Sequence, residues 1–170
     1  MPEIKEAILS LGTNIGDKFQ NLKTAITAID MILETKIIDI SKIYITKAVK
    51  IVGRQDNFLN CCVKIQTKLL PQTILGCCLG IESALGRVRK FKFESRNIDI
   101  DLLLFNDEIC NNNDLILPHP KIKERDFVLK PLSDICAKNR FQKFDFNKEM
   151  KELNFSNILG VFLHNKFIHE

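Results

Sequence analysis

Apolar and polar positions alternate along this chain with two periods, and the switches between them mark out the elements. Ala7 to Leu11 is a short apolar run that reads as a strand. Gly12-Thr13-Asn14-Ile15-Gly16 breaks it as a turn, and Asp17 stands where a carboxylate can cap a helix. From Lys18 to Leu33 apolar residues recur at Phe19, Leu22, Ala25, Ile26, Ile29 and Leu33, a helical period. Ile37 to Thr46 is rich in β-branched residues and reads as a strand, Lys47 to Asn57 as a polar loop, and Phe58 to Thr67 as a further strand. Pro71 opens a helix that runs to about Leu85 and stops at Gly86. A basic loop, Arg87 to Arg96, leads into a strongly apolar strand from Ile98 to Phe105. Asn111 to Asp114 is a turn, Leu115 to Pro118 is short and extended, and Asp126 to Ile135 is a helical segment interrupted at Pro131. The tail has helical character over Phe146–Leu153 and Ile158–Leu163.

The core order is therefore strand, helix, strand, strand, helix, strand. That is the split pattern of ferredoxin-like (βαββαβ) α+β folds, an antiparallel sheet with helices packed on it. A single domain over 1–170 is expected, with a core at about 4–136 and a C-terminal extension, 137–170, packed on it.

Composition narrows the classes. The chain has 170 residues, 45% hydrophobic and 27% charged, an ordinary globular mix that excludes disorder and collagen-like repeats. The net charge of +4 fits a site for a small anion without demanding one. No apolar run reaches the roughly 18 residues of a membrane span, and the N-terminus lacks the order of a secretory leader. A cytoplasmic protein is expected. Six cysteines stand as two adjacent pairs and two singles, with no CxxC spacing, so they read as reduced core thiols.

The sharpest chemical feature is Asn97-Ile98-Asp99-Ile100-Asp101-Leu102-Leu103-Leu104-Phe105. On a strand Asp99 and Asp101 share one face, and Ile98, Ile100, Leu102 and Leu104 take the other. Two neighbouring carboxylates repel, and a divalent cation such as Mg²⁺ removes the repulsion while leaving room for phosphate oxygens. From spacing alone, two solvated aspartates at a strand end are an equal reading. Arg87, Arg89, Lys90, Lys92 and Arg96 just upstream shift the balance, because guanidinium forks match phosphate oxygens. Phe58 and Phe127 could sandwich a flat heterocycle whose edge the Asn60 amide reads, although each alone is more often a core residue. His119, held between Pro118 and Pro120, modestly favours a ligand contact. There is no GxxxxGK[ST] loop. The Gly-Ser turn of a nucleotidyltransferase and the Gly-Phe-rich strands of an RNA-binding module are also missing, so nucleic acid is not an expected partner.

Taken together, five blocks resemble the 6-hydroxymethyl-7,8-dihydropterin pyrophosphokinases of folate biosynthesis. They are Leu11 to Asp17, Asp56 to Asn60, Gly86 to Arg89, Arg96 to Asp101, and Leu117 to Leu132 with its Pro-His-Pro and Arg-Asp-Phe steps. The resemblance spans about residues 7–136. It implies transfer of the ATP pyrophosphate to the pterin hydroxymethyl oxygen, leaving AMP, with ATP as co-substrate and two Mg²⁺ ions on Asp99 and Asp101. It implies that Arg89, Lys92 and Arg96 carry catalysis on the phosphates. Glu82, Phe93, Leu102, His119 and Arg125 would complete the ATP site. Thr46, Phe58, Asn60 and Phe127 would bind the pterin. A stand-alone monomer acting on small molecules is expected.

Three departures stand out. Phe93-Glu94-Ser95 replaces the family's Trp-Gly-Pro, Ala48 and Val49 replace prolines, and Asp114 replaces an arginine. Weaker ATP affinity is the expected consequence.

Overall fold

The computed structural model of the protein describes residues 2–48, 56–86 and 97–162. At its centre lies β1 (Lys5–Thr13), buried from Ala7 onward. A buried strand must find hydrogen-bond partners on both edges and apolar cover on both faces. β1 pairs antiparallel with β4 (Phe58–Thr67) on one edge and with β5 (Asp99–Phe105) on the other. Beyond β4 lie β2 (Thr35–Ile40) and β3 (Ile43–Thr46), end to end: β2 takes Val63 to Thr67 and β3 takes Phe58 to Asn60. β10 (Ile158–Phe162) pairs with β3 and completes a six-stranded sheet in the order β10-β3-β4-β1-β5. Two short hairpins, β6 (Cys110–Asn111) with β7 (Ile116–Leu117) and β8 (Arg140–Phe141) with β9 (Phe144–Asp145), stand outside it.

Helices α1 (Lys18–Asp30) and α2 (Pro71–Ala84) cover one face. Leu9, Leu11, Leu22, Ile29, Val63, Ile74 and Ile100 meet there in one apolar cluster. Each fully buried Leu or Ile contributes about 1.5–3 kcal/mol. On the other face α3 (Asp126–Ile135) brings Val128, Leu129 and Leu132 onto Ile8, Cys62 and Leu104, with Phe141 and Phe146 joining from the C-terminal segment beside α4 (Asn147–Glu152). The result is an α+β architecture on an antiparallel sheet. Among the described residues no helix is long and apolar enough to cross a membrane.

Local chemistry sets most boundaries. The Asp17 carboxylate accepts from the Gln20 amide at 3.0 Å and caps α1. Gly86, at φ +86°, takes the left-handed position that ends α2.

Several expectations need correction. Gly12 and Thr13 are strand, not turn. α1 ends at Asp30 and not at Leu33, because the Asp30 carboxylate turns to accept from the Ile37 amide at 2.9 Å. The strand over 37–46 is two strands, since Ser41 folds inward and its hydroxyl accepts from the Cys62 amide at 2.8 Å. α3 runs through Pro131 without a break. Ile158 to Phe162 is a strand and not a helix: a short apolar run fits either period, and the open edge of β3 decides. Leu104 does not share a face with Leu102. Leu9 pairs with Leu102 and Ile8 with Leu104, so Leu103 is an extra, bulged residue that resets the alternation.

Candidate active site

Alternation sorts the strands' side chains onto two faces. In β4, Leu59, Cys61, Val63 and Ile65 enter the core beneath α1 and α2, while Phe58, Asn60 and Cys62 turn toward α3. Ile98, just before β5, and Ile100 and Leu102 within it enter that same core, and Asp99 and Asp101 turn the other way as expected. The expected pterin and metal residues of the two strands thus share one face of the sheet.

Register makes them neighbours. Gly12 lies opposite Asn60 on β4 and opposite Asp99 on β5, so Asn60, Gly12 and Asp99 form one row across three strands. Strand spacing puts the ends of that row about 10 Å apart. Ser10 occupies the middle of the next row, between Cys62 and Asp101. Gly12 leaves the middle of its own row clear: a Cβ there would stand 2.7 Å from Asn60 Oδ1. Glycine inside a strand commonly marks such a close approach.

Asn60 is held before any ligand arrives. It is 4% exposed, and its Nδ2 donates to Thr46 Oγ1 at 2.6 Å. Thr46 is 1% exposed and pairs with Phe58 across the β3–β4 ladder. Phe127 stands in the first turn of α3, and the Arg125 guanidinium lies 5.6 Å from its ring centroid.

The charged half is more open. Arg125 Nη1 lies 3.7 Å from Asp101 Oδ2, with both side chains about a third exposed (34% and 31%). An ion pair this exposed contributes about 0–1 kcal/mol, so a stronger ligand could displace it. The His119 amide donates to the bulged Leu103 carbonyl at 2.8 Å, which fixes the Pro-His-Pro segment beside β5. His119 Nδ1 accepts from the Lys121 amide at 3.1 Å, so the neutral ring carries its proton on Nε2. Burial, and then the positive charge of Arg125, hold the imidazole below its ordinary pKa, with Asp99 opposing them.

Glu82 and Leu102 lie deeper. Glu82 is 2% exposed, and its Oε1 accepts from the Ile100 amide, between the two aspartates, at 2.7 Å. It anchors the strand that carries Asp99 and Asp101. Leu102 is buried in the core beneath α1 and α2, which leaves its main chain for any ligand contact. Arg89, Lys92, Phe93 and Arg96 lie outside the described residues, as do Arg87, Lys90 and positions 49–55 of the other loop.

Two carboxylates on an open face suit a cation that keeps its remaining positions for water and phosphate, as Mg²⁺ does. Among the described residues no group of three or more His, Cys, Asp or Glu forms a closed metal cage. The cysteines are all free. Burial pushes the Cys61 and Cys78 thiols up to about 12 and Cys136 to about 11, so they are unreactive packing groups. A cavity of about 340 Å³ opens beside His119, lined by Lys123, Lys143, Phe144 and Asp145 among others; Asp99 and Asp101 do not line it.

Two features were not legible from the residues alone. The part Gly12 plays beside Asn60 needs the strand register. The buried Asp126 carboxylate accepts from the Phe127 amide at 2.8 Å, and its only sequence signal is an acid in the first turn of α3.

The protein is 40% identical over 132 residues to the 2-amino-4-hydroxy-6-hydroxymethyldihydropteridine pyrophosphokinase of Bacillus subtilis, covering 76% of this chain and 77% of that one. It is 38% identical over 154 residues to the enzyme of the same name from Aquifex aeolicus, covering 91% and 93%. It is also 38% identical to the folic acid synthesis protein fol1 of Schizosaccharomyces pombe, but there 75% of this chain spans only 17% of the relative. Among solved structures, a Plasmodium falciparum HPPK-DHPS with pteroate superposes with a TM-score of 0.68 at 17% identity, over 92% of this chain and 47% of that one. That likeness speaks to the fold. The model of the 7,8-dihydro-6-hydroxymethylpterin-pyrophosphokinase (HPPK) family matches residues 8–137, and the chain belongs to that family.

Proposed function

We propose that this chain transfers pyrophosphate from ATP to 6-hydroxymethyl-7,8-dihydropterin in folate biosynthesis. The pterin hydroxymethyl oxygen attacks the β-phosphorus, the bond from that phosphorus to the bridging oxygen of the α-phosphate breaks, and AMP leaves. The hydroxyl proton passes to water as the new P–O bond forms. The observation that carries this reading is the row Asn60, Gly12 and Asp99, which sets a buried amide and a carboxylate about two strand spacings apart with a glycine between them. One end suits a flat heterocycle and the other a metal-bound phosphate chain.

The side chains divide the work. Phe58 and Phe127 sandwich the pterin, and Thr46 and Asn60 meet its edge. Arg125 and the Nε2–H of His119 meet phosphate oxygens, and Arg89, Lys92 and Arg96 add their charges from the basic loop. Leu102 offers its main chain to the nucleotide and Phe93 packs against it. Glu82 keeps β5 in register from beneath. Asp99 and Asp101 hold two Mg²⁺ ions, which when bound neutralise phosphate charge and orient the transferred group. Catalysis of this kind is mostly positioning and charge neutralisation, with no covalent enzyme intermediate. The sheet order, with α1 and α2 on one face, supports reading the core as ferredoxin-like.

The test is AMP release. With ATP, Mg²⁺ and the hydroxymethyl pterin, AMP and pterin diphosphate should form in equal amounts. Release of AMP at the same rate without the pterin would overturn the reading.

A further inference from the structure

We infer that the turn at residues 155–158, which leads into β10, is a strap that positions the two walls of the pterin pocket, with Asp126 as its positioning residue and the main chain of Asn157 as the link between them. The inference rests on the reading of Thr46 and Phe127 as pterin residues. The strap lies beyond residues 8–137, the part matched by the family model.

Both main-chain polar groups of Asn157 are used. Its carbonyl accepts from the Lys47 amide at 3.0 Å, one residue past Thr46. Its amide donates to Asp126 Oδ2 at 3.2 Å, one residue before Phe127. The other oxygen of that carboxylate, Oδ1, accepts from the Phe127 amide at 2.8 Å. A single chain of hydrogen bonds thus runs from beside Thr46, through Asn157 and Asp126, to Phe127. Asp126 is 6% exposed, so water competes poorly for these bonds.

The turn itself is held. The Ile158 amide donates to the Phe155 carbonyl at 3.1 Å, and the Ser156 amide to Asn154 Oδ1 at 3.1 Å. Phe155 adopts φ +52°. Its ring packs on the core cluster beneath α3, with Lys130 Nζ 5.6 Å from the centroid. On the other side β10 continues the ladder with β3, pairing Ile158 with Thr46.

The geometry calls for such a tie. The last turn of α3 is pinned to β3 by Tyr44 Oη, which donates to Asp134 Oδ2 at 2.8 Å, and to the residue before β3 by the Lys42 amide, which donates to the same oxygen at 3.1 Å. Those bonds lie away from the first turn, where Val128 and Leu129 pack onto the sheet but the Phe127 side needs its own hydrogen-bonded tie. The strap supplies it, and so sets the gap between Phe127 and the Thr46–Phe58 pair. Small errors in such a gap weaken binding and slow transfer.

Three variants of the full chain test the strap: Asp126→Ala, Asp126→Asn and Asn157→Ala. Asp126→Ala should raise the pterin Kd and KM about tenfold while the Kd for a non-hydrolysable ATP analogue stays within about twofold. Hydrogen exchange on the free protein should show the Phe127, Asn157 and Lys47 amides opening faster, with amides near the Tyr44–Asp134 end unchanged. This readout needs no ligand, so it can fail or succeed apart from the functional reading, which fails if wild-type protein binds no pterin. Asp126→Asn keeps one carbonyl acceptor and should fall between Asp126→Ala and wild type; if Asp126→Ala does not fold, it is read in the same way. Asn157→Ala keeps both main-chain bonds and should match wild type. Equal losses for both ligands with faster exchange throughout α3, wild-type exchange and binding in the Asp126 variants, or a pterin defect in Asn157→Ala would each overturn the strap.

Discussion

Asn60 and Asp99 stand at the two ends of one row across the sheet, and their surroundings differ in kind. At the Asn60 end the polar groups are neutral, buried and already bonded: Thr46 and Asn60 are 1% and 4% exposed and hold each other. At the Asp99 end the groups are charged and partly open, and Arg125 Nη1 stands 3.7 Å from Asp101 Oδ2. The difference follows from the ligands each end is proposed to take. A neutral heterocycle is recognised by donors and acceptors set in place before it arrives, because each buried group left unpaired costs about 1–3 kcal/mol. A phosphate chain brings its own charge, so its partners can stay solvated and loosely paired until it binds. One end is set by burial, and the other, on this proposal, is completed by its ligands.

The largest test breaks the charged end. Asp101→Ala should lower turnover at least about 100-fold, since its carboxylate anchors charge that develops in transfer. Thermal stability should change little, because the lost pair with Arg125 is worth about 0–1 kcal/mol. Pterin-dependent AMP release measures the first and thermal unfolding the second. Near-normal turnover with Mg²⁺ present would mean that the phosphates sit elsewhere.

The neutral end is tested by Asn60→Ala. Pterin affinity should fall by about 1–3 kcal/mol, with much less change for the nucleotide. Equal losses for both ligands in titration calorimetry would make Asn60 a structural residue, and the contrast between the ends would disappear. Gly12→Ala should produce a milder form of the same defect. Its Cβ would press on Asn60 Oδ1, and the overpacking should cost about 1–2 kcal/mol of stability in urea unfolding together with some pterin affinity. Wild-type stability and binding would show that the amide can move without penalty.

The smallest effect concerns pH. The imidazole of His119 is held below its ordinary value by burial and by Arg125, so the unfolded chain binds its proton more readily than the folded one. Its penalty on folding is therefore absent above about pH 6.5, grows as the pH falls below that, and is complete below the folded pKa. His119→Gln should remove this share of the acid destabilisation. Urea unfolding at pH 7.5 and pH 5.5 should show the variant losing less stability than wild type. An equal loss in both proteins would show that His119 is not desolvated.

Much of this was legible in the sequence, because local chemistry decides it. The Asp17 cap, Pro71 at the start of α2, Gly86 at its end and the whole of β4 follow from residue type and period. Asp99 and Asp101 share a face because alternation is local. What escaped depends on distant partners. Ser41 splits a strand only because the Cys62 amide is there to meet its hydroxyl. Ile158 to Phe162 becomes a strand because β3 offers an open edge. Gly12 reads as a turn residue until register sets it between Asn60 and Asp99. Asp126 looks like an ordinary first-turn acid until the chain returns at Asn157.

The bulge at Leu103 gives β5 two reading frames. Before it, odd-numbered residues face the site; after it, even-numbered ones do, as Leu104 beneath α3 shows. Removing Leu103 on paper leaves every other side chain of the strand on the face it already occupies. The alternation of the ladder therefore needs only the remaining positions, and the extra residue adds its own side chain, 1% exposed, to the core beneath α3 while leaving its carbonyl outside the ladder with β1. Its carbonyl is the group that receives the His119 amide. An insertion in a strand, ordinarily a fault in the ladder, thus gives the fold a separate attachment point for the Pro-His-Pro loop. The loop held there can differ in length or sequence while the register of Asp99 and Asp101 with β1 stays as it is.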